Sequence, residues 1–140
     1  MRYLGIDYGT KKIGLALSDE EGRMGFPHGV FPNTARLIDD VLALIELKQV
    51  GAVVMGDSRD FKGNENPVAK DARAFGTQLE RRIGIPVHYE LEMLTTQEAR
   101  RNFEGVRESG SGSVVVDASA AALILTSFLD KQANHGTGTR

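Results

Sequence analysis

Residues 2–18 have the sequence RYLGIDYGTKKIGLALS, and this stretch decides how the fold begins. Ile13, Leu15 and Leu17 alternate with smaller or polar residues, as one face of a β-strand requires. Gly9 lies between the two apolar halves and tolerates the positive φ that a tight hairpin uses. The stretch therefore predicts an antiparallel hairpin with strands over residues 2–7 and 12–18.

The sequence after the hairpin alternates between strand and helix patterns. A third strand over residues 24–31 contains Pro27, which indicates an edge strand or a bulge. Further strands are predicted over residues 52–56 and 85–91. Helices are predicted from a cap at Asn33 or Thr34 to about Gln49, where Gly51 ends the helix, from Pro67 to about Arg82, and from Val114 or Asp117 to Lys131.

The last of these helices is apolar nearly all round, so it is expected to be buried. The order β-β-β-α-β-α-β-α predicts an α/β fold. Three antiparallel strands come first, and right-handed crossovers then add parallel strands. The result is a mixed five-stranded sheet with helices on both faces.

Length and composition indicate one globular domain. The chain has 140 residues, of which 41% are hydrophobic and 26% charged. These values exclude collagen-like, coiled-coil and wholly disordered chains. We expect the domain to span residues 1–131 and residues 132–140 to form a disordered tail, since that tail has nothing to bury.

The chain contains no cysteine, which excludes a disulfide framework, a thiolate zinc site and a cysteine nucleophile. The N-terminal segment does not have the pattern of a signal peptide. The longest mostly apolar stretch, residues 118–129, falls short of the ~20 residues that span a bilayer. We therefore expect a cytoplasmic protein with no membrane partner.

The charge balance is slightly acidic, with 17 Lys and Arg against 19 Asp and Glu, a formal net charge of −2. Proteins that bind nucleic acid usually carry a basic excess. Either this chain does not bind nucleic acid, or its basic residues cluster on one face, or several acids have a role other than solvation.

Three acids occupy positions that are unusual for solvated carboxylates. Asp7 ends the first strand, Glu92 follows the fifth strand, and Asp117 opens the apolar helix. Ligands of open α/β sheets bind at the strand ends, where a divalent cation would offset the repulsion of converging acids. Each acid also has a structural explanation: Asp117 as a helix cap, Glu92 as a loop acid and Asp7 as a turn former.

The residues DYGT at 7–10 resemble the phosphate-binding first hairpin of actin-like ATPases and sugar kinases. Those folds close two such domains over a nucleotide, and 140 residues form only one. A small enzyme that transfers phosphate on nucleotides stays open as an alternative.

Three motifs together are more specific: GIDYGTKKIGLALSD at 5–19, LTT at 94–96 and DASAAALILTSFLD at 117–130. The chain resembles the YqgF/RuvX family, RNase H-like proteins described as Holliday-junction resolvases or pre-16S ribosomal RNA nucleases. The resemblance implies that Asp7, Glu92 and Asp117 are catalytic metal ligands. Asp7 would bridge two Mg²⁺ or Mn²⁺ ions, and the other two acids would hold one ion each.

The resemblance implies a metal-dependent nuclease acting on structured nucleic acid, with pre-16S ribosomal RNA as the favoured substrate and branched DNA as the alternative. The protein would be a monomer or weak homodimer. Leu91 and Met93 stand where the family usually has an acid and an arginine. These departures favour a second alternative, a nucleic-acid-binding module with weakened catalysis.

Several basic residues fall on loops near the predicted site and could contact phosphates without reading base sequence. The alternative interpretation is that they are ordinary solvated surface charges without a role in binding. The predicted substrate-binding residues are Lys11, Lys12, Arg59, Lys62, Arg100 and Arg107.

Overall fold

The structure is a computed structural model, and it describes residues 1–57, 67–91 and 111–138. It contains five strands and three helices in these ranges. They are β1 (Arg2–Asp7), β2 (Lys12–Ser18), β3 (Gly25–Pro32), α1 (Leu37–Lys48), β4 (Val50–Asp57), α2 (Pro67–Ile83), β5 (Val87–Leu91) and α3 (Ser111–Gly138).

The strands form one mixed sheet in the order β3-β2-β1-β4-β5. β1, β2 and β3 pair antiparallel, whereas β1 pairs with β4, and β4 with β5, in parallel. The predicted sheet is thereby confirmed, and β1 is its central strand. The ends of β1, β4 and β5 meet at one side of the sheet, which we call the carboxyl edge.

Helices α1 and α2 cover one face of the sheet. The predicted alternation in β2 is confirmed, since Ile13 and Leu15 are fully buried on this face and Leu17 packs against the same core. Pro27 lies in the edge strand β3, opposite a register shift between Leu15 and Ala16. Proline has no backbone N–H to donate to a neighbouring strand, so edge strands and bulges are where it is tolerated. The other large buried side chains of this core include Leu4, Ile6, Val41, Val53, Met55 and Leu79.

Helix α3 covers the opposite face, and the burial predicted from its composition is confirmed. Ala121, Ile124 and Leu125 are buried against small and medium side chains of β1, β2 and β4. A Cβ built on Gly5 would lie 2.9 Å from the Cβ of Leu125. The helix therefore packs directly against the backbone of the central strand.

The direction of α3 follows from its contacts along β1. The Tyr3 hydroxyl donates to Gln132 Oε1 at 3.1 Å, and the rings of Tyr3 and Phe128 are 6.1 Å apart. Gly5, further along β1, faces Ala121 and Leu125 instead. The helix thus runs antiparallel to β1, and its N-terminal part is directed towards the carboxyl edge.

Helix α3 is longer than the sequence predicts. It begins at Ser111 rather than at Val114 or Asp117. It also continues past Lys131 to Gly138, into the segment expected to be disordered. The hydrogen bond from Tyr3 to Gln132 gives one reason, because it ties the helix beyond Lys131 to β1. None of the described helices combines the length and apolar character needed to cross a membrane.

The boundaries of α1 also differ from those predicted. The helix begins at Leu37 and its last residue is Lys48; Gln49, with a left-handed φ of 54°, is its C-cap, so Gly51 is not. Gly51 lies in β4, where a Cβ would approach the Met1 side chain to 2.6 Å. Gly51 therefore lies within a strand and not at a helix end.

Candidate functional site

Asp7 is the last residue of the central strand. On one side, Asp7 pairs with Gly14 of β2. On the other side, Ile6 pairs with Met55 of β4, and the same register continued by one residue puts Gly56 beside Asp7. Strand alternation puts Asp7 on the face of Tyr3 and Gly5, which α3 covers. The two neighbouring strands thus carry no side chain directly beside this half-buried carboxylate.

The turn after Asp7 depends on Gly9, though not for the predicted reason. The positive φ expected at Gly9 is wrong, because only Gly22 and Gly84 have positive φ among the described glycines. A Cβ at Gly9 would instead lie 2.6 Å from the Lys12 carbonyl oxygen. The turn therefore needs a residue without a side chain.

Asn33 holds this turn from the end of β3. Its backbone N–H donates to the Lys11 carbonyl at 2.9 Å, and its side-chain Nδ2 donates to the Gly9 carbonyl at 2.8 Å. The prediction that Asn33 or Thr34 caps α1 is wrong: the N-cap is Arg36, without a side-chain cap bond, and the Asn33 amide is used by the turn. Thr34 Oγ1 instead accepts from the N–H of Arg36, just before the helix.

Tyr8, next to Asp7, fastens the end of β1 to α2. Its ring lies 5.5 Å from the ring of Phe75, and it packs against the core beneath α1 and α2. Because successive side chains of a strand point to opposite faces, this anchor supports the orientation of Asp7 towards the α3 face.

Two of the predicted phosphate-binding residues lie beside Asp7. Lys11 is in the turn and Lys12 begins β2, and both side chains are exposed. The structure therefore brings two exposed cationic side chains and one carboxylate to the carboxyl edge.

Glu90 is a charged residue that sequence reasoning missed. Its side chain is only 7% exposed, on the face that α3 covers. Glu90 Oε2 accepts a hydrogen bond from Ser127 Oγ at 2.7 Å and pairs with Lys131 Nζ at 2.7 Å. Its position in β5, two residues before Glu92, is the sequence feature from which this residue could have been found.

The remaining predicted site residues lie outside the described part of the chain: Glu92, Arg59, Lys62, Arg100 and Arg107. The backbone of Asp117 belongs to α3, but its side chain is not among those described. Among the described residues, no three His, Cys, Asp or Glu form a group that could hold a metal ion. The Asp7, Glu92 and Asp117 triad therefore stays a prediction.

Solved structures show that this fold is shared. *Thermus thermophilus* RuvC, in complex with a Holliday junction substrate, superposes with a TM-score of 0.61 at 20% identity, covering 95% of this chain and 96% of that one. The fowlpox virus Holliday junction resolvase superposes with a TM-score of 0.58 at 12% identity, covering 94% of this chain and 99% of that one.

Sequence comparisons show the family. Over 133 residues, the chain is 38% identical to a protein of *Nitratidesulfovibrio vulgaris* (strain DSM 19637 / Miyazaki F) named "Putative pre-16S rRNA nuclease", covering 93% of this chain and 94% of that protein. An *Anaeromyxobacter* protein (strain Fw109-5) of the same name is 39% identical, covering 93% and 97%. The family model described as "RuvX: Holliday junction resolvase" matches residues 1–131. With these matches over nearly its whole length, the chain belongs to the RuvX family.

Proposed function

We propose that this protein is a divalent-metal-dependent nuclease that hydrolyses phosphodiester bonds in structured nucleic acid, with pre-16S ribosomal RNA as its substrate. The observation that carries the proposal is Asp7 at the carboxyl end of the central strand, between Gly14 and Gly56 and on the face of α3. The RuvX family match and the names of the relatives support hydrolysis of nucleic acid.

Strand and helix periodicity support convergence of the three acids. Glu92 follows Glu90 by two residues in the sequence, and the Glu90 side chain lies on the α3 face. Asp117 precedes Ala121 by about one helical turn. Ala121 packs over Gly5, two residues before Asp7, so Asp117 would lie nearer the carboxyl edge.

The chemistry of this donor set fits Mg²⁺ or Mn²⁺, which prefer carboxylate oxygens. Such ions would supply a nucleophilic water and charge stabilisation for an in-line displacement. Asp7, Glu92 and Asp117 would hold them, with Asp7 shared and each of the other two acids serving one ion. No side chain is then needed as a general base.

The basic residues would position the substrate. Lys11 and Lys12 are exposed beside Asp7, where they would bind phosphates on either side of the scissile bond. We assign the same role to Arg59, Lys62, Arg100 and Arg107. The protein would act in the cytoplasm as a monomer or weak homodimer.

A second candidate function is cleavage of branched DNA, which the description of the matching family model favours. Symmetric cleavage of a junction requires two matched sites, and hence a dimer. A third candidate, a binding module with weakened catalysis, is favoured by Leu91 and Met93 in the motif around Glu92.

The test is a cleavage panel with precursor 16S ribosomal RNA and four-way DNA junctions, each with Mg²⁺, Mn²⁺ or EDTA. We expect the wild type to cut the RNA only with metal, and Asp7→Asn to bind RNA without cutting it. Preferential cutting of the junction would establish the second candidate. Binding without cleavage by the wild type would establish the third.

A further inference from the structure

A buried carboxylate joins the edge strand β5 to α3. Glu90 is 6% exposed, so its charge would be costly without partners. Ser127 and Lys131 lie one helical turn apart on α3. Ser127 Oγ donates to Glu90 Oε2 at 2.7 Å, and Lys131 Nζ forms an ion pair with the same oxygen at 2.7 Å. Lys131 is 68% exposed, so its ammonium reaches Glu90 from the solvent side.

This contact connects α3 to β5, the strand at the edge of the sheet. In the described sheet, β5 pairs only with β4, whereas α3 packs closely against the backbone at Gly5 of β1 and Gly25 of β3. The His88 and Phe128 rings, 4.9 Å apart and stacked, provide a second contact between β5 and α3. A ring stack lets the two elements slide, whereas directed polar bonds oppose sliding.

We propose that Glu90, Ser127 and Lys131 form a clamp that sets the separation between the end of β5 and α3, and thereby the affinity of the site for its metal ions. This inference rests on the proposed function, in which Glu92 follows β5 and Asp117 lies on α3. Ligands on two different elements must be held within about 0.5 Å of their working geometry. Glu90 is thus a positioning residue, two positions before a ligand.

A purely electrostatic role makes a different prediction. If Glu90 and Lys131 acted only through their charges, Lys131→Met would leave the Glu90 carboxylate without its cation and tighten metal binding, whereas Glu90→Gln would weaken it. A clamp predicts weaker binding in both variants, because each removes the same ion pair. The sign of the Lys131→Met effect therefore separates the two roles.

The experiment is calorimetric titration of the full chain with Mn²⁺ and with Mg²⁺, without nucleic acid. We expect Glu90→Gln and Lys131→Met each to raise the metal Kd roughly tenfold, the low end of the effect of supporting groups around metal ligands. The double variant should be no worse than either single variant, since both break one interaction. Lys131→Arg keeps the pair and should bind metal like the wild type.

The matched control is Arg82→Met, which breaks a surface ion pair between α2 and α1. Arg82 Nη2 lies 3.5 Å from Asp39 Oδ1, and both side chains are more than half exposed. We expect it to leave the metal Kd unchanged. In cleavage assays, the clamp variants should lose kcat, recover part of it at high Mg²⁺, and keep the wild-type KM for RNA.

Unchanged or tighter metal binding in Lys131→Met, with only a lower melting temperature, would overturn the clamp. Additive effects in the double variant would do the same. Because Lys131 is largely exposed, its variants should fold even if Glu90→Gln does not. If the wild type neither binds metal nor cleaves, the proposed function fails instead, so the two failures are distinguishable.

Discussion

Gly5 of β1 and Leu125 of α3 are in such close contact that a Cβ on the glycine would lie 2.9 Å from the Cβ of the leucine. The same Cβ would lie 3.0 Å from the Ala121 carbonyl oxygen. The position of α3 over the central strand therefore depends on the absence of a side chain at residue 5. Because Gly5 is two residues before Asp7, this contact links the packing of the core to the proposed site.

Gly5→Ala is expected to destabilise the protein by about 1–3 kcal/mol, the usual cost of overpacking a core. The helix must move away from β1, which would also lower metal affinity. Denaturant unfolding and a metal titration measure the two effects. Gly29→Ala is the control, because a Cβ there meets nothing within 4 Å. Equal stability of the two variants would contradict the close packing.

Asp7→Asn is expected to abolish cleavage, because an amide is a poor ligand for magnesium and cannot offset its charge. In EDTA the variant should be more stable than the wild type by ~1 kcal/mol, since it relieves repulsion within the acid cluster. Added Mg²⁺ should stabilise the wild type by mass action and shrink the difference. Calorimetry with and without Mg²⁺ measures these changes.

The exposed acid Asp40 on α1 supplies the control for this change. Asp40→Asn should leave cleavage unchanged, and Mg²⁺ should stabilise this variant as much as it stabilises the wild type. If Asp7→Asn is instead less stable than the wild type in EDTA, Asp7 serves the fold by hydrogen bonding, and the proposed metal cluster loses its physical support.

Lys11→Ala and Lys12→Ala should each weaken RNA binding about equally for all sequences and reduce the salt slope by about 1. Lys48→Ala should change neither the RNA affinity nor the salt slope, because Lys48 ends α1 beside the first residues of β1. Arg2 Nη1 of β1 donates to the Lys48 carbonyl at 3.3 Å. Binding titrations at several salt concentrations measure the slope. A wild-type slope near −8 would reveal a larger basic surface than predicted.

Asp19 makes the stability of the β2–β3 turn depend on pH. The Arg23 N–H donates to Asp19 Oδ1 at 2.7 Å and the Met24 N–H at 3.2 Å, and these bonds lower the pKa of the carboxyl from its usual 3.8. The folded state thus binds a proton less readily than the unfolded state. The stability contributed by Asp19 is present above the unfolded pKa and is lost as the pH falls through the folded one.

Asp19→Asn should therefore be less stable than the wild type at neutral pH, and the difference should vanish in strong acid. The amide keeps an oxygen that can accept both bonds, so the variant isolates the charge. Melting temperatures from about pH 7 to about pH 2 test this. A difference that is constant across this range would mean that the carboxylate charge is not involved.

Local periodicity was enough to predict most of the architecture. The alternation of Ile13, Leu15 and Leu17 indicated the buried face of β2, and the apolar composition of α3 indicated its burial. Pro27 indicated the edge strand. These patterns are informative because the repeat of a strand or helix decides which face a side chain lies on, whichever residues cover that face. The same reasoning placed Asp7 at the end of the first strand.

Only the tertiary structure could show which residues meet across the chain. Glu90 contacts Ser127, and Asn33 reaches back to Gly9, although neither pair shares a local pattern. Gly9 looked like a turn glycine with positive φ, but the close carbonyl of Lys12 is the reason it has no side chain. Contacts of this kind depend on the register of strands and the position of α3, which arise from packing the whole core rather than from any short stretch of sequence.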